Sequence, residues 1–378
     1  MKKVNVVMGG GGVKGVAYIG VFDSLERRGY VPVNLAGVSA GSLAGALSAA
    51  GYNAAGMWRV MDQLDFDKIQ VDKALERLPV VRRFVEYMGS RGTKEKAGVE
   101  DFLVSSLRPE GSGNNDMRKL NILKSVVTYC KEGCLFDGDL LEEWVSKALA
   151  KRGIRTFADL RTGNADALNP RGYKVRMTGV DCNRMKVVTL PDDLVFYGID
   201  PDRFEVAKAV RISTAVPFAF KPVEVTGVAD GRNQVYSLVD GGVLDSFPGW
   251  LMDDGSTPGL GFKLNAGESK IFSLDMPLSI FKSLITSVHD IGTPETAFAD
   301  KYSAALPICE IDTRKVGFLD FGLTAENKNY LVNAGRHSAL RLLDSVGNKQ
   351  RGTEVNYLPY GFRIYPQKQK FNRRNYFM

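Results

Sequence analysis

Within its first fifty residues the chain alternates two apolar runs with two helical patterns, and this restricts the fold more than any other feature. Val4–Met8 is a short continuous apolar run. After a glycine loop comes a helical pattern over Val16–Arg28, with Val16, Ile19, Gly20 and Leu25 on one side. Val31–Gly37 is a second apolar run, and "SLAGALSAA" (Ser42–Ala50) a second, small-residue helix. Strand, helix, strand, helix in so short a span is a βαβα unit, which requires a parallel sheet with right-handed crossovers. The predicted class is therefore α/β, with a central, mainly parallel sheet flanked by helices in three layers.

Beyond Tyr52 the pattern turns helical and more polar, with amphipathic pieces at 54–64, 73–87 and 99–107 and a loop at Arg108–Asp116. Residues 52–132 read as a helical insertion over the α/β core. "DGDLLEEWVSKALAKRG" predicts a helix with Asp139 and Glu142 at capping-box spacing and Gly153 as its stop. Strands are expected at Lys174–Asp181, at Lys186–Leu190 after a turn at Asn183, and at Tyr236–Gly242 before a sharp turn. One large α/β domain over residues 1–350 with a tail at 351–378, or two modest domains, are both open. With 378 residues, 44% of them hydrophobic, one large domain with insertions is affordable. A net charge of +7 favours anionic partners without choosing among membrane surfaces, nucleic acid and acidic substrates. Four cysteines make no disulfide framework and no zinc site, so a reducing compartment is expected. The apolar run at the N-terminus is too short for a signal peptide, and none of about 18 residues reads as a membrane span.

The glycine loop suits an anion, and the question is which one. Gly10, Gly12 and Gly15 satisfy G-x-G-x-x-G, but a dinucleotide site also needs a carboxylate at the end of the second strand, where Asn34 and Gly37 stand. A P-loop fails because Lys14 is followed by Gly15. The second strand ends instead in Gly37-Val38-Ser39-Ala40-Gly41, a G-x-S-x-G in the strand-to-helix setting of a nucleophile elbow. Two neighbouring parallel strands then deliver a glycine loop and a serine side by side. The N–H groups of Gly10, Gly11, Gly12 and Ala40 become candidate donors to a tetrahedral oxyanion. A serine needs a base, yet the chain has only two histidines, His289 and His337, both within helical patterns. Asp240, at the end of an apolar strand and before Gly241-Gly242, is the leading carboxylate. The same Asp-Gly pair also fits a simple turn cap.

Gly10–Gly15 resembles the G-G-G-x-[RK]-G loop of the patatin-like phospholipases, Gly37–Gly41 their G-x-S-x-G elbow and Asp240–Gly242 their D-G-[GA] motif. "RISTAVPFAFKPV" (Arg211–Val223), "FPGWLM" (Phe247–Met252), "TPGLGFKL" (Thr257–Leu264) and Gly317–Leu343 are similar to further family segments. Lys14 stands where many members carry arginine. The resemblance implies a lipid acyl hydrolase of phospholipase A or lysophospholipase type with a Ser39–Asp240 dyad, a glycine-loop oxyanion hole and an acyl-enzyme. Lys14, Gly15, Gly37, Gly41, Gly241 and Gly242 would support that site. It implies no metal and no cofactor, a phospholipid or lysophospholipid substrate, no nucleic acid, and a cytoplasmic, peripherally membrane-associated location, with a protein activator left open. The alternative is a catalytically silent lipid-binding or scaffold protein on the same fold. Two features suit a lipid surface. The amphipathic pattern Pro277–Val288 fits either an acyl groove or the core, and the tail interleaves Arg363, Lys368, Lys370, Arg373 and Arg374 with aromatics and no acid.

Overall fold

The computed structural model describes residues 1–63, 138–217, 219–229, 232–252, 257–265, 306–318, 322–350 and 362–363. The helical patterns at 73–87, 99–107 and 277–288, His289, and all of the tail except Phe362 and Arg363 lie outside the described residues.

The described strands are β1 (Lys2–Met8), β2 (Tyr30–Gly37), β3 (Val175–Asp181), β4 (Lys186–Leu190), β5 (Val223–Ala229), β6 (Arg232–Asp240), β7 (Gly259–Asn265), β8 (Ile308–Asp312) and β9 (Phe362–Arg363). The helices are α1 (Ala17–Arg27), α2 (Ala40–Ala49), α3 (Ala54–Asp62), α4 (Gly138–Ala150), α5 (Val206–Ser213) and α6 (Ala325–Gln350). A sheet covered on both faces requires strands without polar alternation. β1 from Val4 and β2 from Val33 are buried at every residue. Val6, Met8 and Leu35 enter the main core with α1 and α2, while Val7 and Ala36 meet Leu251 and Met252 in a second apolar cluster.

The sheet is mixed, in the order β5-β6-β3-β2-β1-β7-β8-β9, with β4 on β3. β3, β2, β1, β7 and β8 run parallel, while β4, β5, β6 and β9 are antiparallel to their neighbours. The expected βαβα start and the α/β class are present, the first four elements within two residues and the strands at 174–181 and 186–190 within one. α4 starts at Gly138, so Asp139 lies in its first turn instead of capping it. Gly138 packs against the Arg211 guanidinium, whose carbon would sit 1.9 Å from a Cβ there, so a side chain at 138 would displace that group. β6 begins four residues before the expected Tyr236, because its outer half is exposed and carries no apolar run. Phe362 and Arg363 pair with β8, so the segment read as a tail is tied to the sheet there.

One register detail positions everything that follows. Met177 of β3 pairs with both β2 (Gly37) and β4 (Leu190), and Gly179 pairs with both β4 (Val188) and β6 (Asp240). A strand residue has two edges, so β2 and β6 must share the edge of β3 opposite β4. β2 leaves that edge at Gly37, and β6 takes it over at Asp240, two residues further along.

α1 and α6 cross in close contact through glycines. A Cβ on Gly20 would lie 1.9 Å from the Val332 carbonyl oxygen, and one on Gly335 would lie 1.9 Å from that of Ala17. Ser24 Oγ adds bonds to the carbonyls of Gly20 and Arg336, at 2.9 and 3.1 Å. In an isolated helix Gly335→Ala would stabilise by about 1 kcal/mol. Here the overpacking dominates, at about 1–3 kcal/mol. Thermal denaturation should show Gly335→Ala melting several degrees below wild type; an equal or higher midpoint would contradict the close crossing.

Candidate active site

Ser39 occupies the turn between β2 and α2 with φ 53° and ψ −122°, a left-handed conformation rare for a residue with a side chain. Holding it costs of order 1–3 kcal/mol, which the surroundings must supply. Neighbouring glycines make the turn sterically possible. A Cβ on Gly37 would lie 2.4 Å from the Gly41 carbonyl, and one on Gly41 would lie 2.3 Å from that of Met8. Ser39 is buried, and its carbonyl accepts from Ser42 Oγ at 2.6 Å and Ser42 N–H at 2.9 Å. Its own N–H donates to Ser213 Oγ at 3.1 Å.

The shared β3 edge brings Asp240 to the same place. Its backbone N–H donates to the Ala215 carbonyl at 3.0 Å, and its Oδ1 accepts the Gly242 N–H at 2.7 Å. Gly241 packs over Thr178, whose Oγ1 would lie 2.5 Å from a Cβ there. Asp240 does cap a turn, but its burial sets it apart from an ordinary cap. Desolvation raises its pKa to about 7, against the lowering effects of the Ser39 hydroxyl and the Gly242 N–H. Ser39 is thus close enough to favour the carboxylate. Among the described residues, though, Oδ2 has no partner at strict hydrogen-bond distance and angle. The serine–carboxylate contact is loose, as such pairs often are before a substrate tightens them.

The glycine loop is fixed from below. Gly9 N–H donates to the Phe262 carbonyl and Gly10 N–H to that of Ser246, each at 3.0 Å, while Tyr18 Oη donates to the Gly9 carbonyl at 2.7 Å. The Gly10 donor is therefore committed within the fold. The N–H groups of Gly11, Gly12 and Ala40 donate to no backbone carbonyl outside their own elements among the described residues. Gly12 has φ 57°, and a Cβ there would lie 2.1 Å from the Phe318 carbonyl oxygen, so the tight turn excludes any other residue. Gly15 lies against Ala40, 2.7 Å from its Cβ by the same measure, so loop and elbow touch. Lys14 is buried.

Gly12, Ser39 and Ala40 border one cleft, whose further walls include Val16, Leu43, Leu47, Met57 and Phe220. Its lining is almost entirely apolar. His337 is exposed on α6 and does not line it. Among the described residues no cluster of His, Cys, Asp or Glu is arranged to hold a metal ion. Sequence reading did not single out Ser213 and Ala215, which hold the backbones of Ser39 and Asp240. The signals were the family-like segment Arg211–Val223 and the run of small residues "STA" within it, ahead of Val216-Pro217.

A mixed, mainly parallel sheet, a serine in a strained strand-to-helix turn and a buried carboxylate beside it describe an α/β fold of the patatin-like kind. Residues 6–251 match the family of patatin-like phospholipases, and the chain belongs to it. Over 339 residues it is 28% identical to the uncharacterized protein YqhO of Bacillus subtilis, covering 88% of this chain and 95% of that one. Over 197 residues it is 27% identical to lysophospholipase NTE1 of Candida albicans, covering 47% of this chain but only 14% of that much longer protein. The solved structure of VipD from Legionella pneumophila is similar at 19% identity and a TM-score of 0.47, covering 91% of this chain and 67% of that one.

The buried carboxyl has a consequence for stability. An unfolded aspartate titrates near pH 4 and Asp240 at about 7, so folding takes up a proton between those values. Stability from this group is present below that window and is lost as pH rises through it. Asp240→Asn keeps the shape and removes the charge. It should melt above wild type at pH 8, by less at pH 5, and converge with it only below about pH 4, where both folded and unfolded carboxyls are protonated; a variant less stable than wild type at pH 8 would contradict the assignment.

Proposed function

We propose that the protein is a lipid acyl hydrolase of phospholipase A or lysophospholipase type, in which Ser39 is the nucleophile and Asp240 its base. The observation that carries this is the shared β3 edge, which brings a buried carboxylate beside a strained serine that borders one apolar cleft. Ser39 Oγ attacks the ester carbonyl while Asp240 Oδ2, the oxygen left without a strict partner, takes the hydroxyl proton. The tetrahedral oxyanion forms beside the N–H groups of Gly11, Gly12 and Ala40, at the N-terminus of α2, whose dipole favours negative charge. Gly10 anchors the loop and leaves donation to the next two residues. Asp240 returns the proton to the departing alcohol, and water activated by the same carboxylate then releases the fatty acid. The acyl chain lies in the apolar cleft, where each buried CH₂ contributes about 0.8 kcal/mol. The NTE1 relatives are named lysophospholipases, which supports a single-chain phospholipid as substrate.

A catalytically silent lipid-binding protein is the rival, and lipid hydrolysis followed by mass spectrometry separates the two. Wild type should release fatty acid, and Ser39→Ala should release none while melting within a few degrees of wild type. Fatty-acid release by the alanine variant would remove Ser39 from the mechanism. As the base must be ionised, activity should fall below an apparent pKa near 7, and Asp240→Asn should be inactive at every pH. An acid limb near pH 4 would contradict a desolvated base.

Leu43 stands one helical turn beyond Ser39 and lines the cleft. Leu43→Trp should slow hydrolysis of p-nitrophenyl palmitate at least tenfold more than that of the acetate. Equal effects on both esters would place the acyl chain elsewhere.

A further inference from the structure

Ser213, the last residue of α5, is fully buried and bonds outward from its helix. Its Oγ donates to the Thr178 carbonyl of β3 at 2.7 Å and accepts the Ser39 N–H at 3.1 Å. The first bond fixes the hydroxyl proton, so a lone pair is left facing Ser39. Two residues on, the Ala215 carbonyl accepts the Asp240 N–H at 3.0 Å. Residues 213–215 therefore hold the backbones of both members of the pair. Thr178, which anchors Ser213, is the neighbour of Gly179, where Asp240 pairs with β3.

From this geometry we infer that Ser213 is a positioning residue for the nucleophile, keeping the backbone of Ser39 in its strained turn at a fixed height above β3; the inference rests on the Ser39–Asp240 reading. The Ser39 N–H, in a turn with φ 53° at the start of a helix, donates to no acceptor within its own elements, and the residue is buried. An unbonded buried N–H costs about 1–3 kcal/mol, so without the hydroxyl the turn relaxes toward some other partner. Relaxation swings Oγ away from the carboxylate and from the loop donors. A misplacement of about 1 Å can lower the rate by about 100-fold. The hydroxyl touches backbone only. Its loss should leave the cleft intact and the titration of Asp240 in place.

The test compares Ser213→Ala, Ser213→Cys and Ser39→Ala with wild type. Cysteine is nearly isosteric and a weaker acceptor, and it serves in place of alanine if that variant does not fold. Measurements are kcat and KM on a soluble p-nitrophenyl ester across pH, the rate of labelling by a fluorophosphonate probe, and the melting temperature. For Ser213→Ala, kcat is expected to fall by about 10- to 100-fold. Labelling should slow in proportion, KM should stay within about twofold, the acid limb should not move, and cysteine should fall between alanine and serine. A folded Ser213 variant that keeps kcat and labelling within twofold of wild type overturns the inference. So does a rise in KM at unchanged kcat, which would assign the residue to the cleft. Ser39→Ala separates the two readings. If it stays active, the nucleophile assignment itself is wrong; if it is dead while the Ser213 variants match wild type, only the positioning role fails.

Discussion

The site depends on one strand edge being used twice. β2 runs along β3 as far as Gly37 and then leaves the sheet at the Ser39 turn; β6, arriving from the opposite direction, pairs with the same edge at Gly179 and ends at Asp240. Residues about two hundred positions apart are thereby placed with the accuracy of backbone hydrogen bonding. Neither side chain needs a long flexible loop to reach the other. The antiparallel β6 is what makes this possible. A further parallel strand on that edge would run alongside β2 and could not end head-on against it.

Burial has opposite effects on the two members of the pair. For Ser39 it removes competing water, and the strain of the turn is held by Ser213, Ser42 and the helix that follows. For Asp240 the same burial weakens the charged form, raising its pKa to about 7. A carboxylate in water would be a poor base for a serine hydroxyl, and desolvation narrows the gap between them. In the proposed mechanism the chain gives up some stability at neutral pH for a carboxyl that takes the part usually given to imidazole.

Much of this was legible in the sequence because it rests on short-range rules. The βαβα start follows from apolar periodicity, and the elbow from Gly37, Ser39 and Gly41 at the end of a strand. The choice of Asp240 follows from a strand end before two glycines. What was not legible depends on tertiary pairing. β5, "VEVTGVA", carries only a short period-two pattern whose partner lies in the hairpin with β6, and the outer half of β6 is exposed and has no apolar signature. The commitment of the Gly10 N–H to Ser246 cannot be read from the glycine run, since it depends on a segment 236 residues away. Ser213 was hidden for the same reason: a serine among small residues has no pattern until its partners are known.

The family match ends at Met252's neighbour Leu251, but the sheet does not. β1, the strand that carries the glycine loop, is flanked on one side by β2 and on the other by β7, from residues 259–265. α6, later still, closes over α1 through Gly20 and Gly335. A protein cut at the limit of the family match would therefore expose an apolar central strand as an open edge, the kind of surface that recruits other chains. For this fold the span of the family match and the unit of folding are different lengths of chain, and a gene fusion or excision that respects only the first would leave that edge open with the serine and aspartate motifs still present.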